Sequence, residues 1–320
     1  MTNPRKRSVK MIVTVTLNAA IDRRYVVENF TEGEVTRVKE CRATAGGKGL
    51  NVARLLTILD AKVTATGYLG GYAGMYIEHE IKSQGVETDF HHVEAESRCC
   101  INLWDENKKL QSEFLEPGFE VNQTSQEAFL HKFKQVIKDA SVITLSGSAP
   151  KGIGTDFYPR LIKLAKEQKK KVILDTSGDF LTEGIKAKPT LIKPNIDEIR
   201  MLIGKPCDSL SEIVHAARSI HQEGIDMVVV SLGKSGSVLA CKEGVYRAIV
   251  PEIAALNSVG CGDAMIAGFA YSLEKEKTPC EALLYASAVS AASAMRLETG
   301  YFKQQDREKL MDKIKIETIA

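Results

Sequence analysis

The chain has 320 residues, enough for one large α/β domain or two smaller ones with an ample hydrophobic core. Its 43 lysines and arginines nearly balance 41 aspartates and glutamates, so charge gives no reason to propose nucleic acid or a polyanionic surface as a partner. The seven cysteines contain no C-x-x-C pair, which argues against a disulfide framework or a zinc site and favours a reducing, cytoplasmic setting.

The first predicted element is a buried strand that begins at Met11, behind a basic tail at residues 5–7. Its apolar run is broken by Thr14 and Thr16, and no small-residue cleavage site follows, so a signal peptide is the weaker interpretation. No stretch approaches the ~18 to 20 unbroken apolar residues of a membrane span, so no membrane partner is expected.

Two stretches, at about residues 23–45 and 88–116, contain strand-like segments without a convincing helix, and residues 35–38 are one such segment. Strands that cannot join a main sheet through helical crossovers should form a small separate sheet, here a lid over a cleft. Between the two stretches, apolar residues at helical spacing predict a helix over residues 50–59.

After residue 141, short apolar runs alternate with amphipathic segments. The runs are rich in β-branched residues, as strands buried on both faces are, and lie at residues 142–145, 171–175, 191–193 and 227–231. This alternation predicts a parallel sheet with helices on both sides. Because no repeat or flexible linker interrupts the chain, residues 1–320 are expected to form one domain.

The sharpest motif is a pair of glycines followed by an acid at the head of a helical segment, residues 260–263. In one interpretation, the backbone N–H groups of Gly260, Cys261 and Gly262 stabilise a transferring phosphoryl group, while Asp263 accepts the proton of the attacking hydroxyl. In the other, the segment is a tight turn that Asp263 caps. The dinucleotide pattern G-x-G-x-x-G fails at Met265, and no G-x-x-x-x-G-K-[ST] loop occurs.

Three further features in the first third of the chain, one cluster and two single residues, have two interpretations each. The glycine-rich cluster at residues 44–53 is either an ordinary connection or a ligand loop in which Lys48 contacts phosphate and Asn51 binds a hydroxyl. Asp22 is either an exposed turn acid or a sugar ligand, and Arg98 either a solvated arginine or a phosphate clamp.

Two later segments follow predicted strands. Asn195 is a natural N-cap and Glu198 stands in the capping-box position, so a structural account suffices there. Residues 231–236 lie where open α/β sheets bind ligands, beyond the carboxyl end of a strand, but also fit a hairpin turn into residues 237–240.

Together these segments resemble the ribokinase-like carbohydrate kinases of the phosphofructokinase B family, from Met11 to about Gly300. The matching pieces are residues 16–22, 46–51, 146–150, 193–195 with Glu198, 231–233 and 259–263. Within the family the chain is most similar to the 1-phosphofructokinase and tagatose-6-phosphate kinase branches.

This resemblance implies a three-layer α/β/α sandwich with a mostly parallel central sheet and a small β-sheet lid, often in a homodimer formed through the lids. It also implies ATP-dependent phosphorylation of a ketose phosphate. Residues 33–35 and 118–121 favour fructose 1-phosphate, ahead of tagatose 6-phosphate and then fructose 6-phosphate. An inactive sugar-phosphate-binding regulator is the non-enzyme alternative, and the intact Asp263 motif argues against it. A nucleoside kinase is disfavoured by Lys48 and Arg98, which suit a phosphorylated substrate.

Site roles also follow from the resemblance. The implied ligands of the sugar phosphate are Asp22, Gly47, Lys48, Asn51, Arg98 and Ser146. The implied contacts of ATP are Lys193, Asn195, Ser231, Gly233 and Gly236. Asn195 and Glu198 would organise Mg²⁺ through water, residues 260–262 would form the anion hole, and Asp263 would be the base. Two positions depart from the family pattern: Ala19 replaces a proline, and Cys261 replaces alanine or serine, which predicts sensitivity to thiol oxidation.

Overall fold

The computed structural model describes residues 10–319, and the predicted basic tail at residues 5–7 lies outside them. The strands are, in chain order, β1 (Met11–Thr16), β2 (Ala20–Val27), β3 (Glu40–Gly46), β4 (Val63–Gly70), β5 (Glu87–Thr88), β6 (His91–Val93), β7 (Arg98–Asp105), β8 (Leu110–Leu115), β9 (Ala140–Ser146), β10 (Lys171–Asp175), β11 (Leu191–Ile192), β12 (Met227–Ser231), β13 (Ser237–Cys241), β14 (Gly244–Ile249) and β15 (Lys315–Thr318).

The helices alternate with these strands over most of the chain. They are α1 (Lys48–Ile58), α2 (Gly71–Ser83), α3 (Gln123–Val136), α4 (Phe157–Glu167), α5 (Gly178–Lys186), α6 (Ile196–Ile203), α7 (Leu210–Gln222), α8 (Cys261–Glu274), α9 (Pro279–Ala294) and α10 (Gln304–Met311), with a 3-10 turn at Gly233–Ser235.

The main sheet is built on β1, which pairs in parallel with β4 on one side and β9 on the other. Its order is β15-β14-β13-β12-β11-β10-β9-β1-β4-β5, with β6 also on β4. The strands from β12 to β5 are parallel, as predicted, and β13 to β15 are antiparallel. Residues 231–236 therefore do turn a hairpin, between β12 and β13.

Alternate residues of the sheet enter two hydrophobic cores. Ile12 packs in the core beneath α1, α8 and α9, while Val13 and Val15 pack in the core beneath α3, α4 and α7. Fully buried parallel strands need apolar cover on both faces, which explains their β-branched sequences. The predicted three-layer α/β/α arrangement is confirmed.

The smaller sheet has the order β3-β2-β7-β8 and forms the predicted lid. Two details of the prediction are wrong. Residues 35–38 form no strand. The side chain of Val35 is 89% exposed, so it packs against no apolar surface that could hold this segment in a sheet. The start of the second lid stretch belongs elsewhere, since β5 and β6 pair with β4 in the main sheet.

None of the helices among residues 10–319 combines the length and the apolar character needed to cross a membrane. All seven cysteines are free thiols.

Candidate active site

The motif at residues 260–263 forms the start of α8, beyond the carboxyl ends of the central parallel strands. Gly260 adopts a left-handed conformation, with φ of 82°, and a methyl group there would stand 2.6 Å from Thr299 Cγ2. Only glycine suits both constraints. Asp263 lies in the first turn of α8, and Gly260 precedes the helix without any side-chain cap, so the capping interpretation of Asp263 is not supported.

Asp263 is 5% exposed, and its carboxylate accepts a hydrogen bond of 2.8 Å from Asn51 Nδ2. Burial and the nearby charge of Asp175 raise its pKa to about 6, although Lys48, Asn51 and Lys193 act in the opposite direction. A carboxylate tuned in this way is a suitable general base near neutral pH, since it is ionised there but still binds a proton readily.

Asp175, at the end of β10, is a site residue that the sequence analysis did not identify. Its two carboxylate oxygens lie 3.3 Å from Lys48 Nζ and 3.3 Å from Lys193 Nζ. Burial would raise the pKa of Asp175, but the two ammonium groups outweigh that effect and lower it, and the charge of Asp175 in turn raises the pKa of Lys48. The available signal was an acid at the carboxyl end of a buried parallel strand.

The predicted anion hole lies beside one of these lysines. A Cβ on Gly262 would stand 3.3 Å from Lys193 Nζ, so the ammonium group faces the start of α8. The N–H group of Cys261 donates to the Ser258 carbonyl at 3.3 Å, so in this structure it closes the turn and is not free for an anion as predicted. Positive charge at a helix N-terminus favours an anion such as a phosphoryl group.

The environment of Cys261 does not favour the predicted sensitivity of its thiol to oxidation. Burial, with a smaller effect of the Asp263 charge, raises the pKa of its thiol to about 11. Because the thiolate is the reactive species, this environment suppresses oxidation and alkylation.

Asp22 lies on lid strand β2 and shares a cleft of about 1400 Å³ with Asn51 and Arg54. Burial raises the pKa of Asp22 to about 6, against the charges of Arg98 and Arg54. Arg98 is held in place by its backbone contacts, donating from Nε to the Asn18 carbonyl at 3.1 Å and from Nη1 to the Glu116 carbonyl at 3.0 Å. It is therefore an ordered cation near Asp22 and not a freely solvated side chain.

Gly47 and Gly49 let the start of α1 lie against β1. A Cβ would stand 2.8 Å from Thr16 Cγ2 at Gly47 and 2.3 Å from Thr16 Oγ1 at Gly49. This close approach brings Lys48 to Asp175 and Asn51 to Asp263. Ser146 is fully buried at the end of β9 and is not among the residues that line the cleft.

The residues predicted for ATP gather along the ends of β11 and β12. Ser231 N–H donates to the Pro194 carbonyl at 3.0 Å, which joins the segment after Lys193 to the β12–β13 hairpin. Gly233 and Gly236 have φ of 58° and 90°, and a Cβ on Gly236 would stand 1.9 Å from the Ala248 carbonyl oxygen. The hairpin therefore requires glycine for its own geometry.

Asn195 and Glu198 form the capping box that the sequence predicted. Asn195 N–H donates to Glu198 Oε2 at 2.9 Å, and Glu198 N–H donates to Asn195 Oδ1 at 2.8 Å. The charge of Asp175, with smaller contributions that include the charge of Glu198, raises the pKa of Lys48. Within residues 10–319 no group of three His, Cys, Asp or Glu side chains is placed to hold a metal ion directly.

The structure thus brings together a buried carboxylate, two ammonium groups and a helix start, next to a cleft under the lid. The pfkB family of carbohydrate kinases matches residues 10–306. Over 309 residues the chain is 36% identical to tagatose-6-phosphate kinase of Staphylococcus epidermidis, with 96% of this chain and 99% of that protein covered.

Two solved structures give the same picture. A "Possible 1-phosphofructokinase" of Thermotoga maritima superposes with a TM-score of 0.88 and 27% identity, covering 97% of this chain and 100% of that one. Phosphofructokinase-2 of Escherichia coli superposes with a TM-score of 0.90 and 22% identity, covering 95% and 99% of the two chains, which shows a common fold.

Proposed function

This chain belongs to the pfkB family of carbohydrate kinases, and we propose that it transfers the γ-phosphoryl group of ATP to a ketose phosphate, with tagatose 6-phosphate as the first candidate. Kinases of this family use ATP as donor, generally with Mg²⁺. The observation that carries the kinase chemistry is Asp263, buried at the start of α8 beside Lys48 and Lys193.

In the proposed reaction, an acceptor hydroxyl attacks the γ-phosphorus of ATP. The new O–P bond forms as the bond from that phosphorus to the β–γ bridging oxygen breaks, and the hydroxyl proton passes to Asp263. The products are ADP and a sugar bisphosphate. Asp263 is ionised above pH 6 and so able to accept the proton.

Lys48 and Lys193 would each contact a different phosphate group. Lys48, at the start of α1, would contact the phosphorylated acceptor, while Lys193 faces Gly262 and would contact the phosphoryl group in transfer. Both ammonium groups share Asp175 as counter-ion, which orients them. Several phosphate charges meet here, and cations stabilise their approach.

Mg²⁺ would be held by Asn195 and Glu198 through water, beside the phosphates of ATP. Bound there, the ion would neutralise part of the donor's charge. Lys193, Ser231, Gly233 and Gly236 would orient ATP along the strand ends.

Asp22, Gly47, Asn51, Arg98 and Ser146 complete the proposed acceptor site. Asp22 would accept hydrogen bonds from sugar hydroxyls, and Arg98 would offer a fixed cation to the acceptor's phosphate. Ser146 would have to become accessible when the acceptor binds, because it is fully buried here.

The preferred sugar phosphate is proposed from the sequence identity of this chain to its relatives. Sequence features at residues 33–35 and 118–121 put fructose 1-phosphate first, but the 36% identity to a tagatose-6-phosphate kinase over 96% of the chain favours tagatose 6-phosphate. Fructose 1-phosphate is the second candidate, on the 27% identity to the Thermotoga maritima structure. We further propose one kinase domain over residues 1–320, a homodimer formed through the lid, and a cytoplasmic location.

Release of ADP from Mg-ATP tests the proposal, with tagatose 6-phosphate, fructose 1-phosphate and fructose 6-phosphate as parallel acceptors. The proposal expects the largest kcat/KM with tagatose 6-phosphate. A larger kcat/KM with fructose 1-phosphate would select the second candidate. No turnover with any of the three would refute a ketose phosphate as acceptor, and a nucleoside would be tried next.

A further inference from the structure

Arg54 lies one helical turn after Asn51 on α1 and uses each nitrogen of its guanidinium group for a different partner. Nε donates to Gln84 Oε1 at 2.7 Å, Nη1 to Asn51 Oδ1 at 3.1 Å, and Nη2 to the Ala45 carbonyl at 2.6 Å. No carboxylate of residues 10–319 forms a salt bridge with it. The guanidinium group of this half-buried arginine is held in one orientation by hydrogen bonds to three neutral oxygens.

The contacts of Arg54 close into a ring that joins three elements. Glu80 on α2 accepts from the Ala45 N–H group and, at 3.1 Å, from Gln84 Nε2. Gln84 and Ala45 in turn both accept from Arg54. The ring fastens the last part of lid strand β3 to α1 and to the end of α2.

The amide of Asn51 stands between an obligate donor and an obligate acceptor. Arg54 can only donate, and the ionised carboxylate of Asp263 can only accept. Oδ1 of Asn51 must therefore face Arg54 and Nδ2 must face Asp263, as observed. With Arg54 removed, the amide loses one of its two fixed partners, and Asn51 is free to swing away from the carboxylate.

Gly300 lies directly against the hydrogen bond between Arg54 and Asn51. A Cβ there would stand 2.6 Å from Arg54 Nη1 and 3.2 Å from Asn51 Oδ1. The pair is thus enclosed by α1 and by the segment that follows α9, where water competes less for the bond.

We propose that Arg54 is a positioning residue: it fixes the amide of Asn51 so that Asn51 donates to Asp263, and it ties this orientation to lid strand β3. Asn51 bonds one oxygen of Asp263, Oδ2, which leaves Oδ1 as the oxygen that receives the substrate proton. This role rests on the proposed kinase function, because it matters for catalysis only if Asp263 is the base.

Other charged groups around Asp263 and Arg54 also influence the pKa of Asp263. Asp263 is faced by Lys48 of α1, Asp175 of β10, Lys193 after β11 and the Cys261 thiol of its own helix. Arg54 is faced by Glu80 of α2, Asp22 of β2, Arg42 of β3 and Asp263 of α8. A change in the pKa of Asp263 must therefore be assigned by a double-mutant cycle and not by one variant.

The test measures the pKa of Asp263 in the ligand-free protein from the NMR shift of its 13C-labelled carboxyl carbon, assigned with Asp263→Asn. The variants are Arg54→Met, Asn51→Ala and the double variant, with Arg218→Met as a surface control. Loss of the bond from Asn51 should raise the pKa of Asp263, by about half a unit to one unit in Arg54→Met. In the Asn51→Ala background, adding Arg54→Met should change it little.

An equal rise in both backgrounds would overturn the proposal, because Arg54 would then act by its charge alone. No rise in Arg54→Met would overturn it as well. Thermal unfolding checks that each variant folds. If Arg54→Met does not fold, Arg54→Gln replaces it in the double-mutant cycle. The matching kinetic cycle should show kcat losses that are not additive. Because the NMR cycle needs no substrate, an enzyme without turnover would refute the proposed function separately.

Discussion

The carboxylate of Asp22 fills the space beside the α-carbon of Gly46. A methyl group on Gly46 would stand 2.1 Å from Asp22 Cγ, closer than any two carbon atoms can lie without a bond. The carboxylate of Asp22 can therefore occupy its position in the lid only because Gly46, on the neighbouring strand β3, has no side chain.

Gly46→Ala should therefore turn Asp22 away from the acceptor. We expect KM for the sugar phosphate to rise about tenfold or more, through loss of a charge-assisted hydrogen bond, while KM for ATP stays unchanged. Steady-state kinetics with each substrate varied in turn checks this. Gly154→Ala is the matched control, since its added methyl group also meets an aspartate, Asp156 Oδ1 at 2.6 Å, outside the cleft. Equal effects on both KM values would contradict the role given to Asp22.

Asp175→Asn should leave Lys193 buried without its counter-ion. Removing one partner of a buried ion pair typically costs about 3 to 5 kcal/mol, so a large fall in the free energy of unfolding is expected. The neighbouring negative charge also raises the pKa of Asp263, so its removal should move the acid limb of kcat/KM to lower pH.

Urea unfolding and a pH–rate profile measure the two effects of Asp175→Asn. Asp197→Asn, which breaks an exposed pair with Arg200, is the control and should cost less than about 1 kcal/mol. An acid limb that moves to higher pH would show that Asp175 does not face the base as described.

Asp263→Asn should stabilise the protein in alkaline solution. Burial raises the pKa of Asp263 from 3.8 to about 6, so the folded state binds its proton more tightly than the unfolded state. The carboxyl group therefore destabilises the fold increasingly as pH rises through this window, and fully above it. We expect Asp263→Asn to have a higher Tm than the parent protein at pH 8 and a similar Tm near pH 4. Asp226→Asn, an exposed control, should show no such trend. A constant difference at all pH values would contradict the raised pKa.

The lid edge carries the apolar surface expected of a subunit contact. All six residues of β8 are exposed, including Leu110 at 61%, Phe114 at 52% and Leu115 at 66%. An edge strand with apolar side chains invites pairing with another chain. Light scattering should give the mass of a dimer for the parent protein and of a monomer for Phe114→Glu. Met201→Glu on α6, at a position 45% exposed, should remain a dimer. A monomeric parent protein, or a dimeric Phe114→Glu variant, would contradict a dimer formed through the lid.

The sequence predicted the layers, the lid and the glycine motifs well, because burial and turn geometry leave local patterns. It did not predict the partnerships that organise the site. Lys48 and Asp175 lie 127 positions apart and Asn51 and Asp263 lie 212 apart, and no local pattern relates them. Asp175 was predicted only as the last residue of a strand, and no sequence pattern singled out Arg54. Residues 35–38 were misassigned because β-branched residues alone do not provide a partner strand.

The most direct test of the account is phosphoryl transfer by Asp263→Asn, measured as ADP formation from Mg-ATP with the best acceptor. The variant keeps the volume and one hydrogen-bonding oxygen of Asp263 but cannot serve as a base. We expect a loss of at least about 10²-fold in kcat, with KM for ATP little changed. Activity within tenfold of the parent protein would show that another group takes the proton and would contradict the central role given to Asp263.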